Sequence, residues 1–151
     1  MKKKLLALLL IASTVSTVNA YEVGDTIEDN IASKIKLGDG ITVVDFFASW
    51  CVSCVKELPE INKLSQKLNN KKVKFVGIDT DEDVNKGITF QKDLALNFFI
   101  FNDKDQEIVS KFNPIGMPAI YYIKDKKVVK VLFGAVDHID KVVSKDIGEL
   151  R

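Results

Sequence analysis

The 151-residue chain is poor in the side chains that build metal centres and covalent scaffolds: it has two cysteines and one histidine. A structural zinc site needs four ligands, so a lone Cys-x-x-Cys without a second pair does not supply one. Two cysteines also exclude the disulfide-dense frameworks of small secreted domains. Prolines are scarce, at three, and no Pro/Gly/Ser-rich tract or repeat divides the chain. Charge of one sign is not in excess: 22 basic residues face 21 acidic ones. That balance argues against a nucleic-acid or anionic-membrane surface. No apolar run approaches the ~20 residues needed to cross a bilayer.

The longest apolar run, residues 5–12, lies between Met1-Lys2-Lys3-Lys4 and a small-residue stretch ending Val18-Asn19-Ala20. A basic start, a short greasy core and a Val-x-Ala exit form the pattern of a secretory signal peptide over residues 1–20. Retention as a membrane anchor is the alternative. No cysteine sits near the exit, so lipid attachment is not suggested. With Tyr21 as the first mature residue, the leader's lysines are gone and the remainder is mildly acidic. Residues 21–151 are long enough for one domain with its own core. The lysines at 71, 72 and 74, and at 124, 126, 127 and 130, read as solvated strand edges and turns that discourage sheet-to-sheet pairing.

Both cysteines fall in Trp50-Cys51-Val52-Ser53-Cys54. On a helix, an i,i+3 pair brings its Cα atoms within the roughly 4.4–6.8 Å that a disulfide requires. Residues 41–47 read as a buried strand pointing at this segment, and residues 51–68 as the helix leaving it. Cys51 then sits at a helix N-terminus, where unpaired N–H groups and the macrodipole stabilise a thiolate. A structural staple across two residues would constrain the unfolded chain little. Redox chemistry is the stronger reading. Cys51 is expected to face solvent and attack, and Cys54, one turn in, to be buried and resolve the mixed disulfide. Asp45 interrupts the apolar strand. Burial would raise its pKa and make it a proton acceptor for Cys54; a strand-end Asp reaching water is the alternative.

Elsewhere, Ile27, Ile31 and Ile35 have helical spacing, followed by a Gly38-Asp39-Gly40 turn. Leu58, Ile61, Leu64 and Leu68 stripe the helix after the cysteines, and Pro59 is expected to kink it. Residues 73–79 form the next strand. Thr80 or Asp81 is placed to cap a helix carrying Val84, Ile88 and Leu94. Residues 98–101 read as a short buried strand, and 108–112 as a small helix stopped by Asn113-Pro114. Strands at 119–124 and 128–133 form an antiparallel hairpin ended by Gly134. Asp137 is expected to cap a last helix bearing Ile139, Val142, Val143, Ile147 and Leu150, with His138 exposed in its first turn. This order predicts an α/β domain with a mixed sheet covered on both faces.

The stretch from Val44 to Cys54, with Pro59, Gly116-Met117-Pro118 and Gly134, resembles the thioredoxin superfamily over residues 40–151. The leader, Glu57-Leu58-Pro59 and the insert around 80–113 are similar to its TlpA/ResA branch. The resemblance implies a thioredoxin-like fold and an exported, periplasmic or extracytoplasmic thiol-disulfide oxidoreductase. It implies reduction of protein disulfides, for instance in cytochrome c maturation, recharged by a membrane electron-donor protein, with no cofactor and no metal. It makes Glu57 an active-site acid, against the alternative of a solvated helix face. It makes Met117-Pro118 a cis peptide whose backbone docks a substrate strand, with Trp50, Val52, Ile115 and Met117 as an apolar rim. A monomer is expected. Two positions depart from the branch: Val52-Ser53 lacks a proline before the second cysteine, and Asp45 stands where the branch often has Asn. The competing readings are a protein disulfide oxidant, a copper-delivery module on the same fold and a thiol peroxidase. Copper chaperones of this kind usually have three residues between the cysteines and a distant His.

Overall fold

The structure is a computed structural model that describes residues 20–68, 70 and 72–151. The expected leader therefore lies outside the described residues, apart from Ala20. Among the described residues no helix is long and apolar enough to cross a membrane.

Five strands form one sheet: β1 (Ile41–Phe47), β2 (Val73–Asp79), β3 (Phe99–Asn102), β4 (Ala119–Lys124) and β5 (Lys127–Phe133), in the order β3-β2-β1-β4-β5. The first three run parallel, whereas β4 is antiparallel to β1 and β5 to β4. All seven residues of β1 are buried, as a central strand covered on both faces must be. Its alternating side chains feed two cores. Ile41, Val43 and Phe47 join helices α2 (Val52–Leu68) and α5 (Ile139–Leu150) on one face. Val44 and Phe46 join α1 (Asp29–Lys34) and α4 (Glu107–Phe112) on the other. The mixed sheet flanked on both faces is thus the expected one. Asp45 follows the parity of the first set, which aims it beneath α2.

Ile27, Ile31 and Ile35 are all buried around α1, so their spacing was a true core signal. Pro59 lies inside α2, which continues to Leu68. The short strand at the sheet edge is half-buried rather than buried, because β2 covers only one of its sides. Two capping expectations fail. Asp83, not Thr80 or Asp81, caps α3 (Val84–Asp93), accepting from the N–H groups of Asn85 and Lys86. Asp137 caps nothing: the N-cap of α5 is His138, exposed, in the left-handed region at φ 54°, with no side-chain cap. Thr80 and Asp81 are consumed by the site described below.

The segment before α1 lies along β5. Gly24 N–H donates to the Val128 carbonyl, Val128 N–H to Asp25, and Ile27 N–H to Lys126. Thr26 bridges to Lys127 in antiparallel fashion.

Candidate active site

The dithiol sits where β1 ends and α2 begins. Cys51 and Cys54 form a disulfide with their Cα atoms 5.3 Å apart. The Cys54 N–H points back at Cys51, 3.1 Å from its carbonyl oxygen and 3.3 Å from its Sγ. An N–H aimed at that sulfur would also stabilise it as a thiolate after reduction. Cys54 is fully buried, as expected. Cys51 departs from expectation: it is only 6% exposed. With the disulfide closed, Cys51 belongs to the core on the α2 face.

The loop leading to Cys51 is braced from β2. Asp81 accepts from the Ser49 N–H at 2.7 Å and from its hydroxyl at 2.8 Å. The Thr80 N–H and hydroxyl both donate to the Phe47 carbonyl. Asp79 in turn accepts from the Asp81 N–H and from the Gln91 amide, and burial pushes its pKa up to about 6. Gly87 packs so close to Asp79 that a Cβ would lie 2.4 Å from a carboxylate oxygen. These brace residues were missed in the sequence, where an Asp after a strand reads equally well as a helix cap.

Met117-Pro118 is a cis peptide, and its loop is tied to the sheet by the Gly134 N–H, which donates to the Pro118 carbonyl at 2.8 Å. Gly134 has φ 78°, a conformation that glycine takes without penalty. The Thr80 hydroxyl lies 3.9 Å from the Met117 sulfur, so this loop reaches the same end of β2 that braces the dithiol. Trp50, Val52 and Ile115 are 66%, 78% and 86% exposed. All three are large exposed apolar groups, and Ile115 is not packed in the core. Met117 instead is half-buried against the core.

The two expected acids lie close to each other, Asp45 on β1 and Glu57 on α2 one turn past Cys54. Asp45 is buried and neither carboxylate oxygen has a hydrogen-bond partner. Burial, and then the nearby Glu57, raises its pKa well above the ordinary carboxylate range. Glu57 is 5% exposed, so it is no solvated helix face. Burial, and then the charge of Glu60, pushes it up to about 7. It lines a cleft of about 320 Å³ with Val52, Ser53, Lys56, Glu60 and His138. Two protonatable groups on the dithiol's side of the sheet can hold and return the protons that exchange requires.

Glu60, His138 and Asp140 each bring one ligand atom within 4.8 Å of the others. His138 thus groups with two half-exposed carboxylates rather than with the cysteines. No local pattern reveals this trio, because its members come from two separate helices.

A family model described as AhpC/TSA matches residues 18–132. The chain is 33% identical over 113 residues to the thiol-disulfide oxidoreductase ResA of Bacillus thuringiensis subsp. konkukian, a match covering 72% of this chain and 65% of that one. It is 30% identical over 114 residues to Thioredoxin H2 of Arabidopsis thaliana, covering 75% of this chain and 68% of that one. In three dimensions it is similar to a thiol:disulfide interchange protein DsbE from Chlorobium tepidum, with a TM-score of 0.75 and 19% identity over 87% of this chain and 99% of that one. With a Cys-x-x-Cys at a helix start, a cis-proline loop and a β3-β2-β1-β4-β5 sheet, the chain belongs to the AhpC/TSA family and has the thioredoxin-like fold.

Proposed function

We propose that the protein is an exported thiol-disulfide oxidoreductase that reduces disulfides in protein substrates. The observation that carries this reading is the closed Cys51–Cys54 disulfide at the start of α2, on the same face of the sheet as the buried, unpaired Asp45. In the reduced protein the Cys51 thiolate attacks a substrate disulfide, forming a Cys51–substrate bond and expelling one substrate thiolate, which takes a proton from solvent. Asp45 first releases its proton by way of Glu57; Cys54 then gives its proton to the Asp45 carboxylate and attacks Cys51 Sγ. The second substrate sulfur leaves as a thiolate and is protonated; two electrons pass to the substrate and the disulfide seen here is regenerated. Glu57, beside Asp45 and on the cleft, exchanges protons with solvent.

Substrate docking uses the backbone at Met117 and the rim of Trp50, Val52 and Ile115. Main-chain pairing at the Pro118 loop gives modest sequence selectivity. The ResA-like match supports reduction over oxidation, and with it a role such as cytochrome c maturation. Export rests on the basic start, apolar core and Val-x-Ala exit of residues 1–20; action as a monomer and recharging by a membrane electron-donor protein complete the proposal. Equilibration of residues 21–151 with glutathione buffers, combined with trapping by Cys54→Ser, tests this. A potential near the thioredoxin value of about −270 mV supports a reductant, and one near about −120 mV an oxidant. Absence of any Cys51-linked mixed disulfide would defeat the dithiol reading itself.

A further inference from the structure

The buried side-chain oxygens without a partner among the described residues belong to only four residues: Asp45, Glu57, Tyr122 and Asp146. They are not scattered. Asp45 lies on β1. Tyr122 on β4 pairs with Val43, two residues along β1 on the same face. Lys130 on β5 is the register partner of Tyr122, and its ammonium makes an ion pair with Asp146 of α5. Glu57 covers the inner end from α2, with Glu60 one turn behind it. A polar line therefore crosses three strands, from Asp45 on the central strand to a surface lysine that keeps 37% of its side chain exposed.

Such a line is costly unless it serves something, because a buried oxygen without a partner has given up its hydration for nothing in return. Tyr122→Phe and Asp146→Leu would be the cheap core solution. Burial, then Asp146, and after it Asp45 and Glu57, raise the Tyr122 hydroxyl far above its ordinary range. Tyr122 therefore stays neutral, a fixed dipole between an anion outside and an acid inside.

We propose that Tyr122, Asp146 and Lys130 are positioning residues for the proton step at Cys54, coupling the ion pair at the β5 surface to Asp45 on the central strand. With the Tyr122 proton directed at Asp146, which Lys130 holds, the Tyr122 oxygen faces Asp45 as an acceptor. This favours Asp45 in its protonated form and so strengthens it as a base toward the Cys54 thiol. The inference rests on the dithiol reading above. It adds residues that touch neither the sulfurs nor the docking rim.

The test is the pH profile of the Cys54-dependent step. A Cys51-linked mixed disulfide is formed with a small aromatic thiol, and its release is followed by stopped flow from pH 5 to 9. Asp146→Asn removes the anion and leaves the Lys130 charge uncompensated, so the midpoint moves to lower pH by half a unit or more. Lys130→Met removes the cation and moves it to higher pH. Tyr122→Phe shrinks both displacements in the double variants. Opposite displacements from two partners of one ion pair are not what general loosening produces. Identical profiles in all variants, with wild-type release intact, would overturn the positioning role and leave the exchange activity standing. If the wild type itself releases nothing, the dithiol reading falls and the inference with it. Tyr122→Phe is expected to fold, since the ring that fills the core is kept, and a denaturation midpoint near wild type checks this.

Discussion

The carboxylate of Asp81 grips Ser49 twice, at its N–H and at its hydroxyl, two residues ahead of Cys51. The start of α2 is thereby fixed to the end of β2, although 32 residues separate the partners. Asp81→Ala leaves the Ser49 N–H without an acceptor in a half-buried site. A loss of about 1–3 kcal/mol is expected in urea unfolding, together with slower disulfide exchange because the loop holding Cys51 is no longer fixed. Full stability in the variant would show that the brace is ornamental.

Folding stability should fall as pH rises through neutrality. Burial raises Asp45 well above its usual range, Glu57 to about 7 and Asp79 to about 6. The folded protein thus keeps protons that the unfolded chain has already released. Their contribution is fully present below the ordinary carboxylate range and is lost as pH climbs past about 7, a change on the order of a few kcal/mol. Asp45→Asn should flatten the profile and make the protein more stable than wild type at pH 8. Equilibrium denaturation across pH 4–8 reads both outcomes, and a curve that rises over this range would contradict the buried placement.

After reduction the two thiols should differ sharply in reactivity. Cys51 lies at the helix start with the Cys54 N–H on its sulfur, whereas Cys54 is fully buried. Alkylation near pH 7 should modify Cys51 at least tenfold faster, because the thiolate is the reacting form. Peptide mapping after brief iodoacetamide treatment gives the ratio. Equal labelling would remove the basis for assigning attack to Cys51.

Trp50 and Ile115 should matter to proteins and hardly at all to small disulfides. Both are highly exposed, so truncation leaves the core intact. Trp50→Ala with Ile115→Ser should raise KM for a protein disulfide about tenfold or more, the scale of losing a buried aromatic anchor. Rates with a small aromatic disulfide should change less than threefold. Parallel losses on both substrates would mean that the rim shapes the dithiol rather than the docking.

The strands and the site were legible in the sequence to different degrees. Ile41 to Phe47 reads as buried because apolar residues fill it, and Asp45 stands out against them. The helix start at Cys51 follows from that strand ending before it. Glu57 was ambiguous, since one turn past Cys54 an acid can face either way; the packing of α2 on the sheet decides. Asp146 was overlooked although it sits three residues after Val143 and seven after Ile139, on the same apolar stripe. A carboxylate at a core position of a helix was the available signal. Tyr122 hid in the run Ala119 to Ile123, where an aromatic looks like ordinary core and its hydroxyl leaves no trace in periodicity. Lys130 read as a solvated lysine until register placed it across from Tyr122. Pairings between strands distant in sequence carry this information, and local pattern does not.

The backbone of residues 24–27 laced along β5 also bears on how the molecule coexists with its neighbours. An open sheet margin is a template on which foreign strands can grow. Here residues 24–27 hem that margin. Loss of this hem by proteolysis would leave the catalytic end untouched while turning a self-contained domain into one that gathers others of its kind.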